Sequence, residues 1–417
     1  MSDVEATAIL PHPRHQDWLE PEEVAGLTVE VIRQRLLDIQ GLIAAHAMEA
    51  EQQRYPVEKV WSAIRRTGLF YLYVPKTFGG MGHGDLEAMI DLTTIIGEGC
   101  ASTAWGAVQC LQNQWLIARF PDAFQQEIWG ALPYVTAAGS AFPLGKATRV
   151  DGGFRLTARY RWGSGVMYSQ WVFGFAQVDD PDGKQPVYCM MWPIEEGTVL
   201  DTWHFDGMCG SGSHDYSAED LFIPEHRTLN AEVLSQGMPD RATPLERIPP
   251  PVIIPIILSL PILGAARGAV KAYRKRLSTG GPDGGPVDRA LHHACLARAD
   301  LAVSIAELTI RDAARRLQDD FSRSASISQA ERTKVRAVGA YAVEMCKNAL
   351  RSISDISGSS AHHLSNPIQR ALRDVTILGT HVAIDPNVTA ELYGRDLVGI
   401  ASEIYAGFQA SVGPPIR

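Results

Sequence analysis

The feature that most constrains this chain is the place where its apolar spacing changes period. Near the start, apolar residues recur at helical intervals: Val29, Ile32, Leu36, Ile39 and Ile43, then Val60, Ile64 and Leu69. Toward the end the same spacing returns over longer stretches, at Leu291, Ala294, Leu301, Ile305 and Leu308, and at Val335, Val338, Ala342, Met345 and Ala349. Such spacing puts one side of a helix against a core. Between them, from about 135, the pattern shortens to β-type runs at 148–150, 154–160, 171–178 and 187–192, parted by Gly152-Gly153 and by Asp179-Asp180-Pro181-Asp182-Gly183. Helices, then strands, then long helices predict an α+β chain. The reading is a partly flexible leader over 1–26, an N-terminal α-helical domain over 27–134, a central β-barrel or sandwich domain over 135–235, and a C-terminal four-helix bundle over 236–417, with a glycine-rich loop at 280–286.

At 417 residues, with 46% hydrophobic and 20% charged, the chain can bury a large core without disulfides or metal. Lys+Arg 38 against Asp+Glu 47 leaves a net charge of −9 and no long basic run, so nucleic acid is a poor partner. The six cysteines form no C-x-x-C pair and read as reduced thiols in the cytoplasm. The N-terminus has acids in place of a basic, apolar signal segment. The longest apolar run, 249–266, holds five prolines and reads as a buried approach to a core helix, with no membrane span.

No P-loop, H-E-x-x-H, G-x-S-x-G or strand-to-helix G-x-G-x-x-G is present, and no NAD(P)H-binding motif. The adjacent pairs His292-His293 and His362-His363 would point about 100° apart on a helix, so no metal site is expected. Three polar clusters stand in apolar surroundings. They are Arg161-Trp162-Gly163-Ser164-Gly165, the run Gly207-Met208-Cys209-Gly210-Ser211-Gly212-Ser213-His214-Asp215, and Arg373-Asp374 followed by His381. Singly, each also reads as ordinary structure: a turn serine, a tight connection, a hydrogen-bonded core histidine.

Taken in order, these clusters resemble the acyl-CoA dehydrogenase superfamily. Further landmarks are Val74-Pro75-Lys76-Thr77-Phe78-Gly79-Gly80, Ala101-Ser102-Thr103-Ala104-Trp105, Val150-Asp151-Gly152-Gly153-Phe154, Phe222-Ile223-Pro224 and Asn366-Pro367-Ile368-Gln369-Arg370-Ala371-Leu372-Arg373-Asp374-Val375. Within that superfamily the chain looks most like the oxygenase components of two-component flavin-dependent monooxygenases, relatives of 4-hydroxyphenylacetate hydroxylase and dibenzothiophene monooxygenase. The resemblance implies a homotetramer that takes reduced FMN or FADH2 from a separate NAD(P)H:flavin reductase. With O2 as co-substrate it would form a C4a-hydroperoxyflavin and oxygenate a small aromatic or heteroaromatic molecule.

The resemblance also assigns residues. Acyl-CoA dehydrogenases keep a catalytic Glu shortly after the Arg-Asp pair, whereas 375–383 holds no acid and offers His381. A histidine with pKa near ~6.5 could exchange a proton at neutral pH. Ser164 stands where a hydroxyl faces flavin N5, with Trp162, Gly165 and Ser140 also against the flavin. Asn113, eight residues after Trp105, replaces a histidine common in that branch, and it cannot carry a proton charge. Arg267, read as opening the first long bundle helix, and Ser359 and Ser360 match positions near the flavin phosphate, the serines reaching it from a neighbouring subunit. An acyl-CoA dehydrogenase with its base elsewhere, or a non-catalytic scaffold of the same fold, are the alternatives.

Overall fold

The computed structural model describes residues 7–9, 17–82, 84–180, 183–238, 243–280, 285–323 and 327–400. Its first third is helical: α1 (Pro21–Ala25), α2 (Val29–Ala45), α3 (Ala47–Gln53), α4 (Glu58–Arg66), α5 (Leu86–Gly99), α6 (Ala101–Ile117) and α7 (Asp122–Trp129). Local chemistry starts these helices. Thr28 accepts from Val31 N–H ahead of α2, and Asp85 accepts from Glu87 N–H ahead of α5. Cys100, extended at φ −161°, breaks α5 from α6 and sends the second helix into the core, where Ala104, Trp105, Ala107, Val108 and Leu111 are all buried.

The middle third is one mixed sheet of eight strands: β1 (Ala8–Ile9), β2 (Ala137–Val150), β3 (Gly153–Tyr160), β4 (Trp171–Asp179), β5 (Val187–Pro193), β6 (Thr198–Leu200), β7 (Asp215–Pro224) and β8 (Thr228–Asn230). They lie in the order β1-β6-β7-β3-β2-β4-β5-β8. Only the β2–β4 pairing is parallel. The sheet curls over itself. Trp192 on β5 and Tyr216 on β7 have ring centroids 6.0 Å apart although three strands separate them in the hydrogen-bonded order. Gly174 makes room for this: a Cβ there would lie 2.1 Å from the Tyr160 ring. The leader is not wholly outside the fold, since Ala8 and Ile9 pair with Leu200 and Val199 at the sheet edge, while 1–6 and 10–16 lie outside the described residues.

After the short helices α8 (Ala231–Leu234) and α9 (Pro244–Arg247), four long or medium helices pack together: α10 (Pro250–Thr279), α11 (Ala290–Arg323), α12 (Gln329–Ser357) and α13 (Pro367–Leu378), with α14 (Pro386–Leu397) against α12. Of the loop 280–286, residues 281–284 lie outside the described residues, as do 401–417 at the end of the expected bundle.

Two expectations need correction here. The proline-rich run 249–266 is no approach to a helix; it is the first half of α10. Pro249 caps it, Pro250 and Pro251 occupy first-turn positions whose N–H groups need no intrahelical partner, and Pro255 and Pro261 sit inside. By length and composition α10 could cross a membrane, but 83% of its most apolar stretch is buried inside the protein. The second correction concerns α11. Leu291, Leu301, Ile305 and Leu308 face outward, while Ala299, Val303, Ala306, Ile310, Ala314 and Leu317 face the bundle. The helix carries two apolar stripes, and the one with smaller residues lets neighbouring helices approach closely.

Candidate active site

Ser164 lies in the turn that follows β3, and that turn is sewn to the segment before β7. Gly163 N–H donates to the His214 carbonyl at 2.9 Å and Gly165 N–H to the Ser211 carbonyl at 3.3 Å. Trp162 N–H donates to Asp215 Oδ1 at 3.4 Å. Trp162 itself is left-handed at φ +63° and 59% exposed, an uncommon backbone state for a bulky residue and an unusual place for an indole.

From the other side, α6 supplies Trp105. Its indole Nε1–H donates to Ser164 Oγ at 2.7 Å. Ser164 Oγ is also 2.9 Å from Ser213 Oγ, which is 2.8 Å from Ser211 Oγ. An indole N–H can only donate, so one lone pair of Ser164 is permanently taken. The hydroxyl has one lone pair and one hydrogen left for Ser213 and for whatever sits in the site.

His381 completes the group. Its ring meets Trp105 edge to face, centroids 5.9 Å apart. It follows α13 in a tight turn, where Ala383 N–H donates to Nδ1 at 3.2 Å. A backbone N–H must donate, so Nδ1 is unprotonated and neutral His381 carries its hydrogen on Nε2, which has no hydrogen-bond partner among the described residues. The ring is open to solvent yet stands in a recess with protein on its other sides. Lost hydration, with the Arg336 guanidinium nearby, lowers its pKa from 6.5 to about 4. That direction favours the neutral ring, with its hydrogen on Nε2, over the charged one, against the expectation of proton exchange near neutrality.

The Arg-Asp pair is structural. Asp374 is buried and accepts from Met208 N–H at 2.6 Å; burial raises its carboxyl to about 6 against that hydrogen bond and the nearby arginines. Arg373 pairs with Glu51 at 2.8 Å and donates to the Asp206 carbonyl at 2.5 Å. Gly207 fits beneath them, because a Cβ there would lie 2.5 Å from the Arg373 carbonyl. Helix α13 thus pins the 206–208 stretch, just before Ser211 and Ser213.

The other predicted residues divide. Asn113 is buried, and its Nδ2 donates to the Ala137 carbonyl at 2.7 Å, tying α6 to β2. Ser140 Oγ donates to the Phe142 carbonyl at 3.0 Å and is occupied by the bulge in β2. Arg267 does not open a helix. It sits well inside α10, with Nε 2.9 Å from buried Glu98 and Nη1 3.3 Å from Glu307, so it bridges α5, α10 and α11 and offers no free fork to a phosphate. Ser359 and Ser360 are exposed in the turn after Gly358, and no hydrogen bond among the described residues joins them to Ser164. Sequence reasoning gave Trp105 and the Gly-Ser run no role, although both were visible as landmarks. It missed Arg336 altogether; the signal was a charged residue at a stripe position of α12 alongside Thr333, Ala340 and Val343.

What gathers at Trp105 is a hydroxyl and an imidazole. Arg336 is the one charged group that perturbs the imidazole. Such neutral polar groups on an aromatic wall suit the uncharged heteroatom edge of a flat ring system, and the site fits a flavin. Among the described residues no carboxylate pairs with His381 or shifts its ring.

Residues 39–134 match the acyl-CoA dehydrogenase N-terminal domain and 256–386 the acyl-CoA dehydrogenase C-terminal domain. A pigment production hydroxylase from a Rhodococcus species is 30% identical over 88% of this chain and 97% of its own length. The chain belongs to the acyl-CoA dehydrogenase family. Within that family it is a flavin-dependent monooxygenase of the oxygenase-component kind. An FADH2-dependent resorcinol hydroxylase oxygenase component from a Rhizobium species is 29% identical over 88% of this chain and 93% of its own. The solved structure of XiaF from a Streptomyces species, in complex with FADH2 and glycerol, superposes with a TM-score of 0.84 at 27% identity, over 91% of this chain and 98% of that one.

Proposed function

We propose that this monooxygenase takes FADH2, in preference to reduced FMN, from a separate NAD(P)H:flavin reductase, uses O2 as co-substrate, and inserts one oxygen atom into a small aromatic molecule of the phenol class. The observation that carries this reading is the Trp105–Ser164 hydrogen bond beside a histidine whose Nε2–H is unengaged. The relatives named for FADH2 and for a dihydroxybenzene substrate favour the flavin form and the substrate class. Bound reduced flavin supplies the electrons that activate O2. The protein would do the rest: Ser164, Trp162 and Gly165 would hold the flavin, Ser164 through its hydroxyl, and His381 would offer a hydrogen from Nε2 to an oxygen acceptor in the site.

Anaerobic titration with FAD and FMN, each oxidised and dithionite-reduced, tests this. Reduced FAD should bind tightest. Tight binding of oxidised flavin with direct reduction by NADH would overturn the two-component reading, and bleaching of bound flavin by acyl-CoA would favour a dehydrogenase. We assign the protein to a homotetramer in the cytoplasm. Leu301, Ile305 and Leu308 are 60%, 48% and 66% exposed at helical spacing on α11, a stripe that a second copy would cover, and the free cysteines suit a reducing compartment. In that assembly Ser359 and Ser360 serve the neighbouring subunit's cofactor.

A further inference from the structure

Arg336 is a buried cation without an anion. It lies on the core side of α12, 6% exposed, and makes no ion pair among the described residues. Its hydrogen bonds go to two carbonyls, Val382 from Nη2 at 2.5 Å and Ala383 from Nε at 3.2 Å. A buried charge held only by backbone dipoles is expensive, and a neutral side chain could tie down a turn at less cost. The two carbonyls it grips belong to the residues directly after His381. One of them, Ala383, is the residue whose N–H donates to His381 Nδ1.

We propose that Arg336 is a positioning residue for the oxygenation site, latching the turn after α13 so that His381 is presented as a neutral imidazole with its hydrogen on Nε2. The latch acts twice. By holding the Ala383 peptide it keeps that N–H on Nδ1, which excludes the other tautomer. By placing a positive charge near the ring it opposes protonation, so the imidazole remains a donor at one atom across the working pH range. Among the described residues Arg336 is the one charged group whose field shifts the ring. This rests on the reading of His381 as the donor to the reacting oxygen, but its test needs no flavin.

The experiment is 15N NMR of histidine-labelled apoprotein, titrated from about pH 8 to 5, a range that brackets an ordinary imidazole. The wild type, with His381→Gln used to assign the signal, should show one unprotonated Nδ1, one protonated Nε2 and no titration in that window. In Arg336→Met, which keeps the length and removes charge and fork, the two ring nitrogens should average toward each other; the larger cause of the lowered pKa, lost hydration, remains, so protonation should begin at higher pH than in the wild type without reaching that of an ordinary imidazole. Arg336→Lys keeps the charge without the fork, so it should lose tautomer purity while resisting protonation. A Met variant with pure Nε2–H would overturn the proposal. So would a Lys variant identical to wild type in tautomer. Failure of the wild type to bind reduced FAD would instead strike the flavin reading and leave the latch standing. Should the Met variant not fold, the Lys variant alone decides the tautomer.

Discussion

One hydroxyl with three claims on it is the pivot of the site. Because the Trp105 indole holds a lone pair of Ser164, the serine's orientation depends on a residue one hydrogen bond away. Ser164→Ala should speed the uncoupled release of H2O2 several-fold, the worth of about 1 kcal/mol of hydrogen bonding, with product yield per flavin oxidised falling to match. Trp105→Phe keeps the ring against His381 and removes only the N–H, so it should reproduce part of that loss. In a Ser164→Ala background it should add nothing. Peroxide yields from the four proteins of this cycle check the coupling, and additive effects would mean that Trp105 acts by packing alone. His381 works under a different constraint. With its pKa lowered to about 4, His381 should add no ionisation to coupling between neutral and mildly acid pH, and a pH profile of His381→Gln parallel to that of the wild type would check it.

At the scale of elements, helix crossings decide which charges serve function and which serve the fold. Gly97 and Gly264 let α5 and α10 touch: a Cβ on Gly264 would lie 2.7 Å from the Gly97 Cα. Glu98 is thereby buried at the crossing and held by Arg267 and Lys271. Arg267→Met should lower the melting temperature, since buried Glu98 loses one of its two cationic partners, at a cost on the order of 1 kcal/mol, and leave the Kd for reduced flavin unchanged. Calorimetry and flavin titration on the same preparation separate the two roles. The same crossing explains what could be read from sequence. Period alone located the helices and the sheet, and joint spacing of the motifs located Ser164 and His381. The ion pair of Arg267 was not legible because its partner Glu98 is 169 positions away and nothing local marks it as taken. The α11 stripes were misassigned because leucines outrank alanines on any hydropathy scale, while close helix packing prefers the alanines. Arg336 was invisible because its partners are backbone carbonyls, which every residue has.

For the whole molecule, opposed titrations shape stability. His214 is buried, accepts from Thr202 and Trp203 N–H at 3.3 Å, and titrates near 4 instead of 6.5. Between those values the unfolded chain binds more protons there, so stability rises with pH, and His381 acts in the same sense. Asp374 does the reverse: raised from 3.8 to about 6, it binds its proton more readily when folded, so its contribution falls as pH climbs through that interval. Asp374→Asn keeps an acceptor for Met208 N–H and deletes the opposing trend. Its melting temperature should climb more steeply between about pH 4 and 6 than that of the wild type, and parallel curves would show that Asp374 does not ionise there. The contact that Asp374 makes also has a history in time. Met208 meets its carboxylate partner 166 residues later, and Glu51 meets Arg373 after 322. A ribosome that has delivered the whole sheet has delivered Ser164, Ser211 and Ser213 without either anchor for the segment that carries two of them. The cofactor cradle is therefore among the last things the growing polypeptide can finish, and loading with flavin must follow translation, not accompany it.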